Sequence, residues 1–132
     1  MFPAITALYA GLLGIILVAL SARVVVYRQK FGVSRGDGGH ADLARSIRIQ
    51  GNFTEYVPLA LILVMLTELA GYSPLVIHLL GAGLVVARAI HVQGLMSGEG
   101  TTAGRVVGAS LTFVIILVAA ILCLVQGSHA VT

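Results

Sequence analysis

Charged side chains are scarce in this chain of 132 residues, since only 10% of them are Asp, Glu, Lys or Arg. Soluble domains carry about 25% charged residues. By contrast, 58% of the chain is hydrophobic and the mean hydropathy is +1.04. The shortage of charge excludes a soluble domain and indicates an integral membrane protein. The formal net charge of +3 does not indicate a nucleic-acid-binding protein, because the cations are not spread over a soluble face.

Cysteine and clustered metal ligands are lacking as well. The one cysteine, Cys123, lies inside an apolar run, so the sequence predicts no disulfide framework. The four histidines show neither HxxxH nor HExxH spacing. We therefore expect no metal site.

Long apolar runs are what the sequence does have. Four of them reach the roughly 20 residues that a helix needs to cross the hydrocarbon core of a bilayer. Because lipid offers no hydrogen-bond partners to an open sheet edge, all four are predicted to be helices. The sequence thus predicts an all-α membrane protein, with one four-helix transmembrane domain over residues 1–132. The expected spans are residues 4–26, 43–70, 74–95 and 103–126.

The connections between these spans differ in length and in charge. Residues 28–42 are expected to form the only long loop, whereas residues 71–73 and 97–102 form short turns. All eight cations lie in, or within a few turns of, the first or third connection. By the positive-inside rule these two connections are cytoplasmic and both termini lie on the opposite side. The cations are Arg23, Arg28, Lys30, Arg35, Arg45, Arg48, Arg88 and Arg105.

Small residues predict close contact between helices. Gly104 and Gly108 form a small-xxx-small pair at the start of the fourth span. The motif predicts that two helices touch there, without indicating which helix is the partner.

The second span begins with a polar stretch, RIQGNFTEYVP. Arg48, Asn52 and Glu55 are spaced i, i+4 and i+7, so they share one helix face. Tyr56 lies beside that face and Gln50 roughly opposite it. Polar side chains near membrane depth usually face a bundle interior or a wet cavity. The spacing leaves two interpretations open, a binding site or an ion pair that holds two helices together.

Further cations are expected at a similar depth. Arg28 leaves the first helix, Arg105 opens the fourth, and Arg88 and His91 are i, i+3 on the third. With Glu55 as the one acid near them, this surplus of positive charge suits an anionic ligand that carries carboxylates or a thiolate. Alternatively, Arg88 and Arg105 snorkel to the lipid headgroups. Interfacial anchoring is the better interpretation for Arg23, Lys30, Arg35 and Arg45.

The polar stretch resembles the signature of the MAPEG family, the membrane-associated proteins in eicosanoid and glutathione metabolism. That signature reads Arg, three residues, Asn, two residues, Glu, and Pro three positions further on. YRQKFGVS at the end of the first span and ARAIHVQGL in the third also resemble this family, in a bacterial-type member. The signature is filled by Arg48, Asn52, Glu55 and Pro58, and Gln50 and Tyr56 also match the leukotriene C synthase branch.

The resemblance implies a homotrimer in a bacterial inner membrane, with glutathione held as co-substrate between protomers near the cytoplasmic side. It implies that Arg105 stabilises the glutathione thiolate, as the catalytic residue. A lipophilic electrophile would arrive from the membrane lipid. His91 and Leu95 stand where the leukotriene C branch has tyrosines. The residues that the resemblance assigns to glutathione are Arg28, Arg48, Gln50, Asn52, Glu55, Tyr56, Arg88 and His91.

Three functions are consistent with this sequence. The first is a glutathione transferase or peroxidase acting on lipophilic electrophiles or lipid hydroperoxides. The second is a non-catalytic family member that binds lipid or glutathione. The third, a small multidrug exporter, fits less well because it needs a carboxylate near the bilayer centre. Glu55 lies toward the cytoplasmic third of its helix and Glu68 near the other end.

Overall fold

The protein is a bundle of four long helices. A computed structural model describes residues 2–97 and 100–131, and all regular structure in those ranges is α-helical. Each helix is long and apolar enough to cross a membrane. The prediction of an all-α, four-helix membrane protein is therefore confirmed. The helices are α1 (Ala4–Phe31), α2 (Ala41–Leu69), α3 (Pro74–Met96) and α4 (Ala103–Ala130).

The first loop is shorter than the sequence suggested. Helix α1 continues to Phe31, and it ends because Gly32 adopts a left-handed conformation with φ 66°. The N–H group of Gly32 donates to the carbonyl of Gln29, and that of Val33 donates to the carbonyl of Arg28. Together these bonds form a Schellman motif. The expected loop 28–42 shrinks to residues 32–40, since α2 already begins at Ala41. In the third connection, residues 98–99 lie outside the described part of the chain.

Helices α3 and α4 approach each other closely through glycine. A Cβ atom on Gly108 would collide with the backbone nitrogen of His91, and one on Gly94 would collide with the backbone of Gly104 and Arg105. The contact expected from Gly104 and Gly108 is thus made within one chain, and its partner is α3. Glycine is required at this crossing because the neighbouring atoms belong to backbone and cannot rotate away.

Helix α2 contacts the other three helices, as α3 also does. Its buried side chains recur every three or four residues and include Ile49, Phe53, Val57 and Val64. The helix remains continuous through Pro58. Opposite this face, α2 exposes leucine and isoleucine side chains, as a lipid-facing surface requires. The polar stretch of α2, residues 48–58, lies beside the buried face and extends from the third turn to the middle of the helix.

A polar cluster fastens the helices at the other end of the bundle. The Glu68 carboxylate accepts the backbone N–H groups of Ile5 at 2.9 Å and Thr6 at 2.7 Å. The hydroxyl of Tyr9 lies 2.8 Å from Nδ1 of His78, and the Tyr9 ring packs directly on Gly81. The first turn of α1 would otherwise leave its N–H groups without partners. Glu68 therefore serves as an N-terminal cap supplied by α2.

Candidate functional site

The polar stretch of α2 forms an exposed ion pair. Arg48 Nη1 lies 3.8 Å from Glu55 Oε1, and the two side chains are 61% and 50% exposed. Both residues belong to α2, so within this chain the pair does not join two helices. It lies on the outside of this chain, on a helix long and apolar enough to cross a membrane. Charge in contact with lipid is costly.

Asn52 connects this exposed face to the interior. Its Oδ1 accepts a hydrogen bond of 2.7 Å from Nη2 of Arg88 on α3. Arg88 is only 1% exposed, and its guanidinium carbon lies 5.5 Å from the centre of the Phe53 ring. Arg88 therefore points into the bundle and does not snorkel to the headgroups. A short bond from a charged donor is among the stronger kinds of hydrogen bond.

His91 is the second buried polar residue of α3 at this level. It lies one turn after Arg88 and is 3% exposed. Its Nδ1 is 3.0 Å from the backbone carbonyl oxygen of Arg105 on α4. Because a carbonyl only accepts, Nδ1 carries the proton in this contact. His91 thus joins the end of α3 to the first turn of α4.

The backbone of Arg105 is held from three sides. Its N–H donates to Thr102 Oγ1 at 3.3 Å, and the Thr102 hydroxyl donates to the carbonyl of Gly94 at 2.7 Å. Its carbonyl accepts from His91, and its backbone lies flat against Gly94. Its side chain is half-buried and donates from Nη1 to the carbonyl of Gly100 at 3.3 Å. These contacts fix where α4 begins relative to α3.

Among the described residues, positive charge exceeds negative charge around His91 and Arg105. Arg48, Arg88 and Arg105 all lie close enough to His91 to act on it electrostatically. In the ranges that the structure describes, Arg48 with Glu55 is the single ion pair. The arrangement can accept an anion at its exposed side, where Arg48 and part of Arg105 are accessible.

The other predicted ligand-binding residues have different surroundings. Arg28 donates from Nη1 to the loop carbonyls of Val33 at 3.5 Å and Gly36 at 3.0 Å, so it is held against its own loop. Tyr56 packs edge-on against Phe113 of α4, with ring centres 5.3 Å apart. Gln50 is half-buried on α2. Tyr56 thus lies between α2 and α4, whereas Arg28 is engaged in the first loop.

The site has no metal-binding character in the part of the chain described. No group of three or more His, Cys, Asp or Glu side chains lies together there. An apolar groove of about 200 Å³ between α1 and α2, lined by Thr6 and Met65 among others, belongs to the opposite end of the bundle. The exposed part of the polar site, at Arg48 and Glu55, is an open surface of the chain.

Sequence reasoning missed several residues that build the site. Thr102 immediately precedes α4, and a threonine at that position is an ordinary N-cap signal that could have identified it. Phe53 and Gly94 carry no comparable signal. Their contributions arise from the packing of α3 against α2 and α4.

Comparison with known proteins gives two results. The sequence matches the family model described as the MAPEG family over residues 6–125. It is also 38% identical over 90 residues to the Inner membrane protein YecN of Escherichia coli strain K12, covering 68% of this chain and 69% of that protein. The protein of the same name from Escherichia coli O6:H1 gives the same identity and coverage.

Proposed function

Because the chain belongs to the MAPEG family, we propose that it binds glutathione and uses it as co-substrate. In this proposal it is a membrane-bound glutathione transferase or peroxidase. Its second substrates are lipophilic electrophiles or lipid hydroperoxides that reach the site from the bilayer. Its relative is named an inner membrane protein, which favours an inner-membrane location for this chain as well. The first and third connections would face the cytoplasm, with both termini opposite.

The surplus of arginine over carboxylate carries this proposal. Arg48, Arg88 and Arg105 are all within electrostatic range of His91, and Glu55 is the one carboxylate paired with any of them in the described ranges. Glutathione has two carboxylates, one ammonium group and one thiol, so its charges complement this set. The exposed Arg48 would bind a carboxylate, and the exposed Glu55 would bind the ammonium group. Arginine suits the first role because its planar donors match a carboxylate.

A homotrimer would complete the site. The Arg48–Glu55 pair lies on the outer surface of one protomer, where lipid would have to solvate it. Charged groups at membrane depth are normally covered by protein or line a wet cavity. We propose that a second copy covers this face and that glutathione lies between the copies. The half-exposed Gln50 and Tyr56 would then line the ligand from α2, and Arg28 would reach it from the last turn of α1.

The proposed chemistry depends on Arg105. A positive charge beside the glutathione sulfur lowers the pKa of the thiol and favours the thiolate, which is the nucleophile. The thiol proton would pass to water, and the thiolate would form a carbon–sulfur bond to the electrophile. A leaving group would depart as its anion, whereas an alkoxide formed by ring opening would take a proton from water. With a hydroperoxide, attack on oxygen breaks the O–O bond. That step oxidises the sulfur to a sulfenic acid and releases the alcohol. A second glutathione then attacks the sulfenic acid and yields the disulfide and water.

Non-catalytic binding is the second candidate. This candidate is favoured by His91 and Leu95, because both side chains are buried and neither offers a hydroxyl group to a ligand. An exporter is disfavoured because the Glu68 carboxylate is bound to two backbone N–H groups of α1. Turnover with a chromogenic electrophile separates enzyme from binding protein. Arg105→Ala should abolish most of that turnover while glutathione still binds.

Calorimetric titration of glutathione into detergent-purified protein is the deciding experiment. The parent should bind, and Arg48→Ala should weaken binding at least tenfold, because a charge-assisted pair of about 1.5–3 kcal/mol is lost. Arg35→Ala is the matched control, since Arg35 lies exposed in the first loop. Absence of binding by the folded parent would refute the proposal.

A further inference from the structure

Arg88 is a buried cation with few partners. Its guanidinium offers five N–H donors, yet the structure gives it one acceptor, Asn52 Oδ1. Its Nε has no partner among the described residues, and none of their carboxylates lies within ion-pair distance of it. Burying a charge in this way is a poor source of stability, because removal from water costs more than one hydrogen bond returns. Arg88 therefore requires an explanation other than stability.

The Arg88–Asn52 bond determines which way the Asn52 amide faces. A guanidinium has donors only, so the atom of Asn52 that faces Arg88 must be the oxygen. The nitrogen, Nδ2, is then the end of the amide that remains available, and no other described group bonds to it. Asn52 lies four residues after Arg48 and three before Glu55, so its amide nitrogen belongs to the exposed α2 face.

We propose that Arg88 is a positioning residue that locks Asn52 with its Nδ2 toward the ligand. Position 52 is thereby a donor that selects a carboxylate or carbonyl oxygen. The inference rests on the proposed function, in which that oxygen belongs to glutathione. Without Arg88 the amide rotates and also presents its oxygen, which repels a carboxylate. Fixing the amide before binding removes the entropy cost of ordering it.

Asn52→Asp tests the direction of the amide. Aspartate keeps an oxygen toward Arg88, and the new ion pair preserves the fold. It replaces the Nδ2 donor with a second acceptor, so glutathione should bind at least tenfold more weakly, about the effect of losing one bond to a charged group and gaining a repulsion. Calorimetric titration measures the change. Equal affinity in Asn52→Asp and parent would overturn the proposal.

Arg88→Met tests whether Arg88 acts through Asn52. Methionine keeps the length of the side chain and removes its donors. Binding should weaken by about threefold to tenfold, and Arg88→Lys should restore part of it by keeping a donor. In an Asn52→Ala background the same Arg88→Met change should alter affinity by less than about twofold, because the partner is already gone. Arg35→Met, an exposed loop change, should leave affinity as in the parent.

The outcomes separate the two proposals. If the folded parent does not bind glutathione, the proposed function fails and this inference fails with it. If the parent binds but Arg88→Met weakens binding equally in both backgrounds, only the inference fails, and Arg88 is a structural residue. Size-exclusion chromatography reports the folding of each variant. Should Arg88→Met not fold, Asn52→Asp and Arg88→Lys decide the question.

Discussion

Replacing Gly94 with alanine should drive α3 and α4 apart. A Cβ atom at this position would overlap the backbone of Arg105 and Gly104, and no side-chain rotation can relieve the overlap. Overpacking of this kind costs about 1–3 kcal/mol, and contact with rigid backbone places Gly94→Ala near the upper end. Alanine returns about 1 kcal/mol as the better helix former. The net destabilisation is therefore about 2 kcal/mol.

Thermal unfolding in detergent, followed by far-ultraviolet circular dichroism, measures this effect. For a chain of this size, about 2 kcal/mol corresponds to a midpoint roughly 8 °C lower. Gly14→Ala is the matched control, because a Cβ there meets nothing within 4 Å. Its midpoint should stay at or slightly above that of the parent. If Gly94→Ala had the same unfolding midpoint as Gly14→Ala, the close crossing at Gly94 would be refuted.

Two further substitutions test the ends of the bundle. Glu68→Gln keeps one acceptor but loses the charge that holds two N–H groups of α1. The free energy of unfolding should therefore fall by about 1–2 kcal/mol. Protease sensitivity confined to the α1 N-terminus would confirm the cause, and an unchanged free energy of unfolding would contradict the cap. Thr102→Val removes the hydroxyl that caps α4 and bonds to Gly94. It should cost about 1–2 kcal/mol in thermal unfolding, whereas Thr101→Val, at an exposed position before the helix, should cost little.

The four helices could be predicted because lipid leaves the backbone so few options. Hydropathy ended the first span at residue 26, near the first cations, yet α1 continues to Phe31. The backbone hydrogen-bond ladder does not depend on the membrane boundary, and Gly32 is what ends it. A glycine at that position is a recognisable C-terminal signal, so the true end could have been found in the sequence.

The contacts of the candidate site could be predicted from the sequence only where both residues belong to the same helix. Arg48 and Glu55 pair along one helix, and their spacing alone indicated a shared face. Arg88 and His91 were expected on one face of α3, but spacing within a helix cannot say which neighbour that face meets. Spacing therefore could not decide whether Arg88 snorkels to the headgroups. The packing of α3 on α2, which places Arg88 against Asn52, decides it. The contacts around Arg105 likewise depend on how α3 crosses α4.

The Glu68 cap has a consequence for the order in which the protein assembles. The donors at Ile5 and Thr6 find their acceptor 63 and 62 residues later in the chain. While α1 is the only helix made, its first turn must rely on water or headgroups. Once the end of α2 emerges, the two helices can pair as an antiparallel hairpin. The N–H groups in the first turn of α1 then have the Glu68 carboxylate as their acceptor. Helices α3 and α4, joined by their glycine crossing, form a second such hairpin, so the bundle can be built as two successive pairs.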